Sequence, residues 1–209
     1  GGLIVAIISN AVTIADAGAF SASLGSMVHI KTLTASNSST IQFQDGSSGV
    51  TLDNTYPVYM FKIINMNPAT TNAIFEFQAN ASGGSGYNET ITSSSFRAYH
   101  TEADGTPTLE YTANDDLAQS TDHCHLANGV GAGADESLCL ELFLFNPSST
   151  TFVKHFMARC LFYEDANMPV DHLTHGYFNT TSAIDEIQFR MHTGNMDSGT
   201  FKLYGLKDS

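Results

Sequence analysis

Leu138-Cys139-Leu140-Glu141-Leu142-Phe143-Leu144-Phe145 decides the fold of this chain. Its leucines occupy every second position, and Cys139, Phe143 and Phe145 occupy positions of the other parity. A period of two belongs to a β-strand, because successive side chains point to opposite faces; a helix would scatter these leucines around its axis. With both faces apolar, the run reads as a buried strand.

The same alternation spreads outward from it. Toward the C-terminus, Phe152, Phe156, Ala158, Cys160 and Phe162 alternate with Val153, His155, Met157 and Leu161. Ile187, Phe189 and Met191 then alternate with Gln188, Arg190 and His192, and Phe201 with Leu203 completes what reads as a terminal hairpin. Toward the N-terminus, Phe75 and Phe77 flank Glu76 in a half-exposed strand. Val58, Met60 and Ile64 alternate with Tyr59, Phe61 and Ile63, as in a central strand. Ile41 and Phe43 lead to Asp45-Gly46, a hairpin-turn dipeptide.

Gly, Asn, Asp, Ser and Thr clusters separate these runs, the rhythm of an antiparallel sandwich or barrel. Leu140, Leu142, Phe156, Ile187 and Phe189 are the expected core. Residues 79–95 and 112–136 read as long surface loops, the usual seat of function. Met66-Asn67-Pro68 and Phe145-Asn146-Pro147 echo each other, each followed by a Thr-Thr pair and a Phe. Asn-Pro initiates turns, so each copy reads as strand, tight turn, strand, at equivalent corners of two sheets.

Composition bounds the function. A chain of 209 residues can bury a core without disulfide or metal staples. The net charge of −13 repels a phosphate backbone, which excludes ordinary nucleic-acid binding and disfavours an anionic membrane surface. The longest apolar run near the start, Leu3 to Ile8, falls far short of the roughly 20 residues that cross a bilayer. No Lys or Arg precedes Lys31, so it also lacks the basic flank of a secretion signal. Cys124, Cys139 and Cys160 form no Cys-x-x-Cys pair and read as free thiols.

Residues 1–26 are expected to act apart from a single sandwich domain over 27–209. Leu3, Ile4, Val5, Ile7 and Ile8 give a strand apolar on both faces, which must be covered. An arm that adds as a strand to a neighbouring subunit meets that need; an ordinary first strand of the same sandwich is the alternative.

Reactive constellations are weak. His123 and His125 share a strand face and could chelate with His172 and His175, but the spacing matches no zinc module. Solvated loop histidines are the expectation, with neither metal nor cofactor. The acidic pairs Asp115-Asp116, Asp135-Glu136, Glu164-Asp165 and Asp185-Glu186 could be glycosidase carboxylates, yet the chain has no Trp to form a sugar platform. Solvated charge explains them better. Gly83-Gly84-Ser85-Gly86 lacks the spacing of a nucleophile elbow. No enzyme is expected.

Phrases along the chain resemble a known family. They include Lys31-Thr32-Leu33-Thr34-Ala35-Ser36, Tyr56-Pro57-Val58-Tyr59-Met60-Phe61 and Ser85-Gly86-Tyr87-Asn88-Glu89-Thr90-Ile91-Thr92. The run from Leu144 through Asn146-Pro147 to Phe156, Gly176-Tyr177-Phe178-Asn179-Thr180-Thr181 and Ile184-Asp185-Glu186-Ile187-Gln188-Phe189 continue the likeness. From Met27 to Leu206 the chain is similar to tailed-phage virion proteins of marine viruses, called tail-fibre-like or structural proteins. The resemblance implies a place in a virion, on capsid or tail, with copies of itself and other virion proteins as partners. It carries no active-site residues.

The expectation is a multimeric, non-enzymatic virion component, an antiparallel β-sandwich of jelly-roll type with an extended N-terminal arm, acting as fibre or head decoration. A carbohydrate-binding module that recognises a host-surface glycan is the alternative. Its site would be loop-borne around Tyr87, Phe96, Tyr99 and Tyr111.

Overall fold

The computed structural model describes residues 7–9, 12–16, 19–20, 26–105 and 107–207, with side chains described from residue 26 onward. Every regular element among them is a strand, and every pairing is antiparallel. In chain order these are β1 (Ile7–Ser9), β2 (Val12–Asp16), β3 (Ala19–Phe20), β4 (Met27–Ser38), β5 (Thr40–Gln44), β6 (Val58–Pro68), β7 (Ala73–Ala81) and β8 (Ile91–Tyr99). Then follow β9 (Thr108–Tyr111), β10 (Cys124–Val130), β11 (Leu138–Phe145), β12 (Lys154–Glu164), β13 (Met168–Phe178), β14 (Ile184–Met191) and β15 (Met196–Leu206).

Twelve strands form one nearly closed, barrel-like sheet folded into two layers over a common core. The broad layer has the order β4-β15-β6-β11-β12-β13-β8-β9, and the narrow layer the order β5-β14-β7-β10. The layers join where Val130 of β10 pairs with Glu164 of β12. Gly129 adopts φ +93 at this fold, beside the Glu164 side chain, and bulges on either side of Ala127 bend β10 away from a plain ladder.

Between the layers runs an aromatic seam. Phe61 of β6 meets Phe43 and Phe189 edge-on at 5.4 and 5.6 Å, Phe77 of β7 meets Phe156 at 5.0 Å, and Phe75 stacks on Phe189 at 6.0 Å. Each such ring buries a large apolar area, and edge-on pairs add about 0.5–1.5 kcal/mol beyond it. The five core residues expected from alternation are all buried.

Several elements differ from their sequence pattern. Glu76 is buried rather than half-exposed, because residues 82–90 and 112–123 lie over the outer face of the narrow layer; Gln78 Nε2 donates to the carbonyls of Glu89, Thr121 and Asp122. The long polar stretches of the sequence accordingly contain the ends of β7 and β8 and all of β10. Phe145 is exposed and Cys139 and Phe143 are half-exposed, so only one face of β11 is in the core. Phe152 precedes β12 and is exposed. No pairing joins β14 to β15: β14 lies between β5 and β7, and β15 between β4 and β6. Asp45-Gly46 likewise turns the chain into the segment before β6 without closing a hairpin. Of the two Asn-Pro corners, the first crosses from broad to narrow layer (β6 to β7), while the second returns within the broad layer (β11 to β12).

β1, β2 and β3 form a separate meander, paired only among themselves. Ile7 and Ile8 lie in it, whereas Leu3, Ile4 and Val5 fall outside the described residues.

Candidate functional site

Alternation along the broad layer sends one set of side chains to the core and the other outward. On β12, Phe156, Ala158, Cys160 and Phe162 are buried, so Met157, Arg159 and Leu161 point out; Met157 and Leu161 are 46% and 50% exposed. On β9, Leu109 and Tyr111 are 74% and 56% exposed. Met27 of β4 and Phe145 of β11 complete the set. Six of the seven large hydrophobic residues exposed among the described residues therefore stand on this one face. A folded chain seldom concentrates apolar surface this way unless something covers it.

Register gives the face its pattern. One row crosses the whole layer through Thr32, Lys202, Lys62, Glu141, Arg159, Leu173, Phe96 and Tyr111. Its charged half holds an ion pair, Lys62 to Glu141 at 2.8 Å, and Arg159 reaches diagonally to Asp171 with two bonds of 2.7 and 2.9 Å. Beside its apolar half lies an open cleft of about 860 Å³, walled by Tyr99, Pro107, Leu109, Cys139, Leu161 and Tyr163.

The loop aromatics expected at a glycan site separate. Phe96 and Tyr99 lie on β8 and Tyr111 on β9, because these residues pair in register instead of forming a loop. Phe96 faces out opposite Tyr111; Tyr99 is half-buried at the end of β8, packed against the core on one side and lining the cleft on the other, with the Arg97 guanidinium 4.9 Å from its ring centre. Tyr111 donates to Asp116. Tyr87 alone is in a loop, and its hydroxyl donates to Glu186 at 2.8 Å over the narrow layer. Burial and the Glu186 carboxylate push that phenol far up.

On the opposite side of the molecule, a polar cluster ties the 112–123 segment to both layers. Asp115 accepts hydrogen bonds from His125 Nδ1 at 3.0 Å and Asn128 Nδ2 at 2.8 Å. Burial raises the Asp115 carboxyl, and those bonds with nearby His172 outweigh it, leaving it below its ordinary value. Glu76 accepts from Arg190 Nε at 2.7 Å, and its second oxygen lies 3.4 Å from His192 and 3.7 Å from His125. Glu76, His123, His125, Arg190 and His192 line a cleft of about 610 Å³, with Asp116 and Asp122 among its walls.

The four candidate metal ligands do not converge. His172 is buried and His175 exposed, on opposite faces of β13; His123 bonds Gln188 and His125 bonds Asp115. Among the described residues no group of three donors is set for a metal ion. Nor are these all solvated loop histidines: His172 and Asp115 are buried as structural groups.

Ser95, His172 and Asp115 have the composition of a hydrolytic triad. Ser95 Oγ and His172 Nε2 share a 2.5 Å hydrogen bond, but Asp115 Oδ2 lies 4.0 Å from that same nitrogen, and His172 Nδ1 has no partner. A working relay needs the carboxylate on the far nitrogen. Ser95 is fully buried, so no substrate carbonyl reaches it. Cys124 and Cys160 are free and buried, with burial pushing the Cys124 thiol up to about 12, which leaves it unreactive. Cys139 is free and half-exposed.

Comparison of the chain with family models, with curated proteins and with solved structures finds no match.

Proposed function

We propose that this chain is a non-enzymatic structural protein of a phage virion, carried on the capsid or tail, where its partners are copies of itself and other virion proteins. The observation that carries the reading is the outward face of the broad layer, where exposed Leu109, Tyr111, Phe145, Met157 and Leu161 need a cover. A second support is strand order. We read β4-β15-β6-β11 and β5-β14-β7-β10 as the two sheets of a jelly roll, in which the hairpins β8-β9 and β12-β13 extend the first sheet. Jelly rolls build viral shells and lectins, and fold alone assigns no function. The phrases shared with phage structural proteins favour the first. The β1–β3 meander, paired outside the main sheet, then serves as the assembly segment that Leu3, Ile4, Val5, Ile7 and Ile8 were expected to form.

Immunogold labelling of intact particles with antibody against residues 26–207 tests the proposal. Regular labelling of head or tail is expected, and label found only on unassembled material overturns it. A carbohydrate-binding module remains the second reading, favoured by Tyr99 lining the outer cleft near His100 and Asp171. One saturable ligand on a glycan array, lost in Tyr99→Ala, promotes that reading.

A further inference from the structure

We propose that copies of this chain stack head to tail, the outward face of the broad layer docking on the loop-covered face of a neighbour's narrow layer. The inference rests on the assembly reading above and names its surfaces.

The two faces differ in charge. The outward broad face bears Lys62, Lys202 and Arg159, drawn from only 8 basic residues in a chain of net charge −13. The carboxylates beside the row, Glu141 and Asp171, are both engaged with Lys62 and Arg159, and Asp116 meets the far end of the face through Tyr111. Lys202 has no carboxylate within ion-pair distance among the described residues, so the row stays positive toward a partner. The opposite face carries Glu89, Asp122 and Glu186, and Arg190 is the one permanent cation lining its cleft among the described residues. The layers lie back to back across the core, so these faces point in opposite directions.

One molecule thus offers both halves of a complementary contact. A two-fold contact of the broad face with itself offers Lys202 no free carboxylate in the row, because Glu141 and Asp171 already pair with Lys62 and Arg159. A head-to-tail contact sets Lys202 against carboxylates instead. Steering by opposite charge brings such faces together, and the apolar residues flanking the row supply the burial that holds them. Eight strands about 4.8 Å apart make a face roughly 34 Å wide, ample for the about 800 Å² per partner of a stable interface. Because a head-to-tail contact does not close on a pair, it builds rings or filaments.

Sedimentation velocity of the full chain over a concentration series tests this, at about 0.05 M and about 0.5 M salt. Species larger than dimers are expected at low salt, shrinking at high salt. Leu161→Glu with Met157→Glu, both at exposed positions, should raise the concentration needed about tenfold or more. Lys62→Glu with Lys202→Glu should abolish stacking, as should Asp122→Lys with Glu186→Lys. Mixing these two double variants should restore it, which also shows that both are folded. Assembly that stops at a dimer, or that survives all three double substitutions, overturns the proposed surfaces while leaving assembly itself standing. A wild-type chain that stays monomeric at every concentration overturns both self-stacking and these surfaces, and virion membership is then decided separately by particle labelling.

Discussion

Lys154 shows what a single residue does in this fold. It is fully buried on β12, and its ammonium donates to the carbonyls of Phe152 and Thr180 at 2.8 and 3.1 Å. It thereby ties the segment before β12 to the turn after β13. Lys154→Ala strands both carbonyls and should cost about 1–3 kcal/mol, read by chemical denaturation; an unchanged midpoint contradicts this role. His172 sets the pH response together with His123, whose imidazole is also held below the ordinary value by burial. Burial holds the His172 imidazole below the ordinary value, so the unfolded chain binds that proton more tightly than the folded one. The stability it contributes is complete above about pH 6.5 and is lost as pH falls from there toward the folded value. Asp115, also held below its ordinary value, adds a loss at lower pH. The melting temperature should fall between about pH 7 and pH 5, and His172→Gln should flatten that slope; a wild-type profile flat across this range contradicts the assignment. Neither residue's role was legible in the sequence. His172 sits on β13, whose polar residues leave no apolar alternation to mark it inward, and its partners Ser95 and Asp115 come from distant segments; a lone lysine in an apolar run gives no sign that two carbonyls await it.

At the scale of elements, alternation revealed the strands and the inward residues of β11, β12, β14 and β15, since one buried face is enough to leave a period of two. It did not reveal which strands pair. The chain crosses between layers after β4, β5, β6, β7, β9, β10, β13 and β14, and local pattern carries no record of a partner so far away in sequence. Nor could it show that loops cover the narrow layer, so Glu76 read as solvent-facing when it is buried with Arg190. Phe189 marks where the pattern and the packing agree: it contacts Phe61, Phe75, Phe77 and Phe201. Phe189→Ala should cost about 3–5 kcal/mol in thermal or chemical unfolding. Gly176 of β13 has a different constraint, because a Cβ there would meet the Thr92 carbonyl oxygen and Ser93 backbone of β8. Gly176→Ala should force these strands apart at a cost of about 1–3 kcal/mol, and full retention of stability would contradict that packing. Because β1–β3 pair only with each other, deletion of residues 1–20 should leave the melting temperature nearly unchanged while weakening assembly. A deletion that unfolds the rest would place that segment in the core.

For the whole molecule, the central claim is that this sheet is a building block whose broad outer face is covered in use. A low share of charged residues, free thiols without a disulfide framework and a Ser95–His172 pair buried out of reach of a substrate all fit a structural component. The candidate site was only partly legible: Met157 and Leu161 were visible as strand residues while Tyr111 read as a loop aromatic, and register alone shows that they share one face. Metal has no part in this account, and chelation with EDTA should leave the melting temperature unchanged, whereas a structural ion would contribute many kcal/mol. The most direct test is a density map of the intact particle at side-chain resolution. The account predicts repeated copies of this twelve-stranded fold on head or tail, with Leu109, Met157 and Leu161 buried against a neighbouring chain. A particle that lacks the fold, or holds it with that face bare to solvent, would contradict it.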